Sequence, residues 1–142
     1  MANETFFLLI FIFFSFAVAV SDIRTGEVPR LVFLAAFPIF FGFIFLQHEQ
    51  FPLKIALAGT SLGLIVFLLV YFISRRRLGL ADVWYSGLIG MVLGPWDWLL
   101  AITSACIAGI IIIIVSKRKR IPFIPFMAMG SIVMILIQSR PI

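Results

Sequence analysis

Six apolar runs, separated by short polar or basic breaks, constrain this chain more than any other feature. A helix needs roughly 20 apolar residues to cross a hydrocarbon core of about 30 Å. Only helices and closed barrels satisfy every backbone polar group inside that layer. The runs cover about Thr5–Val20, Leu31–Leu46, Ile55–Ser74, Gly79–Leu93, Trp98–Val115 and Ile121–Ile137. At 63% hydrophobic and 12% charged residues, with a mean hydropathy of +1.23, a soluble domain of this length is excluded. The sequence predicts an all-α polytopic membrane protein: a bundle of six transmembrane helices forming a single integral-membrane domain over residues 1–142.

The basic residues fix its orientation. If the helices alternate, one side receives Arg24, Arg30, Arg75, Arg76, Arg77, Lys117, Arg118, Lys119 and Arg120, and the other only Lys54 and Arg140. The positive-inside rule makes the first side cytoplasmic and places both termini on the outer side. Phe6 to Val20, followed by Ser21, looks like a signal peptide, but the first basic residues come after the apolar run and not before it. The segment is therefore read as a retained first helix.

The net charge of +5 does not indicate nucleic acid, because the basic residues are confined to breaks between spans; anionic lipid headgroups are the expected partner. Cys106 is the only cysteine, so neither a disulfide framework nor a paired-thiolate metal site is available, and it is read as a buried packing residue. His48 falls in an outer loop and is given no role. Trp84, Trp96 and Trp98, near helix ends, are read as interfacial anchors.

The acids carry the chemistry. Asp82 lies about one turn inside the fourth helix, where an ionisable group costs roughly 2.5–3.5 kcal/mol on insertion scales and is a functional candidate by default. Asp82, Ser86, Gly90 and Gly94 form one stripe, Gly59 and Gly63 another on the third helix, and Ala105 and Gly109 a third on the fifth. Such faces let helix backbones approach closely and should point into the bundle. Asp22 ends the first helix, at the same depth as Asp82. Of the other acids, Glu4, Glu49 and Asp97 fall on the outer side, and Glu27 shares the first inner loop.

Two poorly solvated carboxylates share a proton: one acts as general base on water, while the other polarises a carbonyl or protonates a leaving amine. This chemistry needs no metal and no cofactor. Each acid also has a plain structural reading, Asp22 as a turn carboxylate near Arg24 and Asp82 as a first-turn residue favoured by the helix dipole.

Three stretches, in order, resemble the type IV prepilin peptidases and the related preflagellin peptidases, membrane aspartyl proteases of the G-x-G-D kind. Asp22-Ile23-Arg24-Thr25-Gly26-Glu27-Val28-Pro29 is similar to the family's first aspartate motif, and Gly79-Leu80-Ala81-Asp82-Val83 to the second. Arg120-Ile121-Pro122-Phe123-Ile124-Pro125-Phe126-Met127-Ala128-Met129-Gly130 resembles the I-P-F-G-P-F stretch that opens the last helix.

The resemblance implies catalytic Asp22 and Asp82, with Gly79, Ala81, Pro122, Phe123, Pro125 and Phe126 shaping the site. It also implies a cytoplasmic-membrane location and a prepilin-like substrate whose charged leader precedes a hydrophobic helix. Ala81 replaces the second glycine of G-x-G-D, Trp84 stands where the family usually has Lys, Arg30 where it often has Asn, and Ile124 where it has the middle Gly. The paired cysteines and extra segment that the bifunctional members use for methylation are missing, so the resemblance is to the short, peptidase-only members. The competing expectation is a non-catalytic membrane scaffold or small transporter subunit, with the acids binding a cation or holding helices together.

Overall fold

The computed structural model describes residues 2–47, 49, 52–76, 78–117 and 121–138. His48, Arg77, Arg118, Lys119, Arg120 and Arg140 lie outside the described residues. Among those described there are six helices: α1 (Ala2–Thr25), α2 (Arg30–Leu46), α3 (Leu53–Ile73), α4 (Leu80–Leu93), α5 (Pro95–Ser116) and α6 (Ile124–Gln138). The all-helical prediction and the number of helices agree with the structure. Three of them, α1, α3 and α5, are long and apolar enough to cross a membrane, whereas α2, α4 and α6 have 17, 14 and 15 residues. At 1.5 Å per residue, α4 covers about 21 Å, well short of a full hydrocarbon core.

Prolines set most of the helix starts. Pro29 and Pro52 precede α2 and α3 with φ of −59° and −62°. Pro95 opens α5, and Pro122 and Pro125 flank the start of α6. A residue with fixed φ and no N–H is well suited to a first turn, whose amide donors have no partner within the helix.

The end of α1 departs from expectation. The apolar run stops at Val20, but the helix continues to Thr25 because nothing before Gly26 breaks it. Gly26 takes φ +71° and donates its N–H to the Asp22 carbonyl at 2.9 Å, the left-handed stop that glycine allows without a Cβ penalty. Asp22 is thus in the body of the last helical turn and not in a loop.

The chain forms two compact units, divided at residues 27/28 and 98/99. In the unit built from α2, α3 and α4, the closest packing is between α3 and α4. A β-carbon at Gly59 would collide with the Gly90 carbonyl, and one at Gly63 would come within 2.5 Å of the Ser86 carbonyl. The predicted small-residue faces therefore meet each other. Phe33 against Tyr85 and Phe67 against Trp98, each with ring centres 6.3 Å apart, fill the space around this contact.

Trp98 is not an interfacial anchor. It is buried, and its Nε1–H donates to Ser86 Oγ at 2.9 Å, while the Ser86 hydroxyl donates to the Gly63 carbonyl at 3.3 Å. An indole N–H inside a packed unit needs such an acceptor. Trp96 is exposed, and Trp84 packs edge-on against Phe37.

In the unit containing α1, most of α5, and α6, the buried residues include Phe7, Phe11 and Val18 from α1, Ala101 and Ala105 from α5, and Met127, Ala128 and Ile135 from α6. Gly130 of α6 lies where a β-carbon would come within 2.5 Å of the Ala101 carbonyl. Cys106 is exposed, contrary to expectation. Helical periodicity turns Ala101, Ala105 and Gly109 inward and leaves Cys106, one step off that row, on the outer face.

Candidate active site

Asp22 is one of four buried polar side chains among the described residues, with 7% of its surface exposed. It faces the start of α6, where the main chain of Ile124 approaches the carboxylate. Local sequence explains why α6 uses an outside acceptor. The residue before the helix is Phe123, whose side chain accepts nothing. Phe126 and Met127 donate back to the Phe123 carbonyl at 3.1 and 3.2 Å, and Pro125 has no N–H. That leaves the Ile124 N–H with no acceptor inside its own turn, and a carboxylate beside a positive helix terminus is favourably placed. The third motif thus meets the first aspartate within one unit.

Ile124 itself is fully buried, and Pro122, Phe123, Pro125 and Phe126 are half-buried around it. Phe123 also packs toward α5, where a β-carbon on Gly109 would come within 3.8 Å of its ring.

Asp82 belongs to the other unit, at the third position of α4. Its carboxylate accepts from the Gly79 N–H at 3.2 Å, and its own N–H donates to the Gly79 carbonyl at 3.1 Å. This is the glycine form of a capping box, with the acid supplying its only side-chain half. Gly79 has φ −69°, which any residue adopts, so conformational freedom is not why glycine suits the position. A β-carbon there would sit 3.1 Å from Asp82 Oδ2, so glycine leaves room for the carboxylate. Ala81 is half-buried in the first turn.

Each predicted acid therefore stands by a helix start: Asp22 beside the start of α6, and Asp82 in the first turn of α4, where it accepts the Gly79 N–H. The Ile124 amide escaped the sequence reading, which weighed only side chains. A helix start with Pro at its second position and no Ser, Thr, Asp or Asn before it does signal that an acceptor must come from elsewhere.

The sequence profile of the type IV leader peptidase family matches residues 9–114, which take in both aspartates. The chain belongs to that family. The match ends before the Pro122–Phe126 stretch, so that likeness rests on the residues themselves. No curated protein and no solved structure matches the chain. Membership makes the protein a peptidase of the leader-processing kind, and its apolar, span-length helices make it a membrane protein.

Proposed function

We propose that this family member is a membrane aspartyl endopeptidase that removes the leader from prepilin-like precursors at the cytoplasmic face of the inner membrane, with Asp22 and Asp82 as its catalytic pair. The observation that carries the reading is that both acids of the family-matched region stand at helix ends, Asp22 buried beside the start of α6 and Asp82 with its carboxylate held by the Gly79 N–H. A carboxylate oriented in this way is suited to take a proton from water.

In the reaction, one carboxylate removes a proton from the attacking water, whose oxygen bonds to the scissile carbonyl carbon. The other, protonated, donates to the carbonyl oxygen. Collapse of the tetrahedral intermediate breaks the C–N bond: the proton taken from water passes to the departing amine, and one hydroxyl proton of the intermediate returns to the second carboxylate. Atoms and charges balance with no metal or cofactor. The reading requires both carboxylates to reach one water and takes the chain as a single peptidase domain.

The expected substrate has a charged leader followed by a hydrophobic helix. That helix would lie in the bilayer and bring its junction to the depth of the acids. The short α4 and α6 favour local thinning of the bilayer, which admits water to polar groups near their ends. Arg75 and Arg76 come just beyond Ser74 at the end of α3, and Lys117 directly follows α5; they are assigned to anionic headgroups and to holding the orientation, with both termini outside.

The scaffold reading has a specific observation in its favour: Asp82 caps its own helix and Asp22 lies beside the start of α6, positions with a purely structural use. Substitution by Asn separates the two. Asn keeps an oxygen that accepts the N–H, so a cap survives, whereas the proton chemistry is lost. On co-expression with a pilin precursor, the wild type is expected to shorten it, and Asp22→Asn and Asp82→Asn are expected not to. Equal shortening by all three would leave the caps as the acids' whole role.

A further inference from the structure

We propose that a groove between α1 and α6 is a binding site for one acyl chain of a bilayer phospholipid, held there as a fixed component of the fold. The inference does not depend on the role of the aspartates.

The groove lies within one compact unit and has a volume of about 600 Å³, inside the roughly 300–1,000 Å³ range of clefts that hold small molecules. Residues of α1 between Phe6 and Phe16 form one wall and Ile132 of α6 the other. Every side chain lining it is Phe, Leu or Ile. A lining without a charged or hydrogen-bonding side chain suits a hydrocarbon chain and offers nothing to a headgroup.

Its length matches one leaflet. Phe6 and Phe16 stand ten residues apart on α1, about 15 Å along the axis, which is half of a hydrocarbon core of about 30 Å. The remainder of α1, down to Thr25, covers the other half. With the N-terminus outside, as proposed, the groove faces the outer leaflet.

Two other occupants fit less well. A helix of another protein needs small residues where backbones approach, and the close helix contacts inside this molecule use them: Gly59 against Gly90, and Gly130 against Ala101. The groove presents only large side chains, with Phe13 76% exposed. Its seven lining residues also fall far short of the about 20–30 a side in a stable protein interface. A substrate helix is disfavoured by position. Phe7, Phe11, Ser15, Val18 and Asp22 form the buried row of α1, and helical periodicity puts the groove residues on the opposite side. A flexible chain, by contrast, fills the irregular space between bulky side chains and gains dispersion contacts with both helices, which an empty crevice forfeits. It thereby ties α1 to α6.

The test uses the full-length protein in phosphatidylcholine vesicles doped with phosphatidylcholine that carries a diazirine in one acyl chain. After photolysis, mass spectrometry of the peptides is expected to find severalfold more lipid adduct at Leu9 and Phe13 than at Leu100 and Ile107 of α5, which are also exposed and apolar. Ile132→Trp, which fills the groove from the α6 side, should bring the α1 adducts down to the α5 level and leave the α5 adducts unchanged. Leu9→Trp fills it from the other wall, read at Phe13, and decides the matter if the first variant does not fold. Replacing the undoped lipid by phosphatidylglycerol should change none of these ratios. Equal adduct yields on α1 and α5, or α1 adducts that survive both fillings, would reduce the groove to ordinary lipid contact. Groove peptides cross-linked through lipid-free bonds to a second copy of the chain, in a zero-length cross-linking arm, would give the surface to a dimer instead.

Discussion

Gly79 shows how much one missing methyl group can matter at the residue scale. With φ −69° it needs none of glycine's conformational range, and a β-carbon would meet nothing within 4 Å except the Asp82 carboxylate, with Oδ2 at 3.1 Å. Gly79→Ala is therefore expected to displace the carboxylate more than it unfolds the helix. Alanine is a poorer cap than glycine by roughly 1 kcal/mol or less, so the melting temperature should fall by only a few degrees. The rate of precursor cleavage should fall about tenfold or more. A melting-temperature loss with unchanged cleavage would reverse that assignment. Asp22, Asp82, Gly79 and the Pro122–Phe126 stretch stand out as candidates in the sequence, because side-chain type and spacing are what a sequence displays. The amide of Ile124 does not, since every residue but proline has an N–H and only the fold decides which of them lacks a helical partner.

At the scale of elements, the α3–α4 contact is the most demanding feature. Between helices in lipid there is little hydrophobic gain from association, so close backbone packing carries much of the attraction. Gly59→Ala would place a methyl group on the Gly90 carbonyl and is expected to destabilise by about 1–3 kcal/mol or more. Gly42→Ala, in a position with nothing within 4 Å of a β-carbon, should instead stabilise α2 by about 0.5–1 kcal/mol through helix propensity. Thermal unfolding in one detergent compares the two directly; a similar loss in both would mean that close approach is not what the α3 glycines provide. Trp98→Phe keeps the ring against Phe67 but removes the donor to buried Ser86, a change worth about 1–3 kcal/mol. The glycine faces were foreseen from their spacing of four. The role of Trp98 was not, because a tryptophan near a helix start reads as an anchor until Ser86, twelve residues away, is seen to face it. The extension of α1 was missed for a related reason: hydropathy marks where a run stops being apolar, whereas Gly26 marks where the helix stops.

The orientation of the whole molecule turns on α2. Large apolar side chains are exposed on all six helices, among them Phe13, Leu46, Ile73, Trp84, Val115 and Ile137, as expected of helices facing lipid. The six-span topology nevertheless requires a 17-residue helix to connect opposite faces. At 1.5 Å per residue it reaches about 26 Å, a few ångströms short of a typical core, which local thinning can accommodate at a modest cost. If α2 crosses, Lys54 lies opposite Arg24 and Arg30, and the basic residues segregate as the positive-inside rule demands. If it does not, Lys54 joins them, every later helix reverses, and the arginines after α3 face outward. Glu27 and Lys54 are both exposed and flank α2, so each can report its side. In a Cys106→Ser background, with intact cells and a membrane-impermeant maleimide, Lys54→Cys is expected to label and Glu27→Cys to label only after the membrane is opened. Labelling of both from the same side would remove α2 from the set of spans, and with it the argument that Asp22 and Asp82 approach the bilayer from a common face.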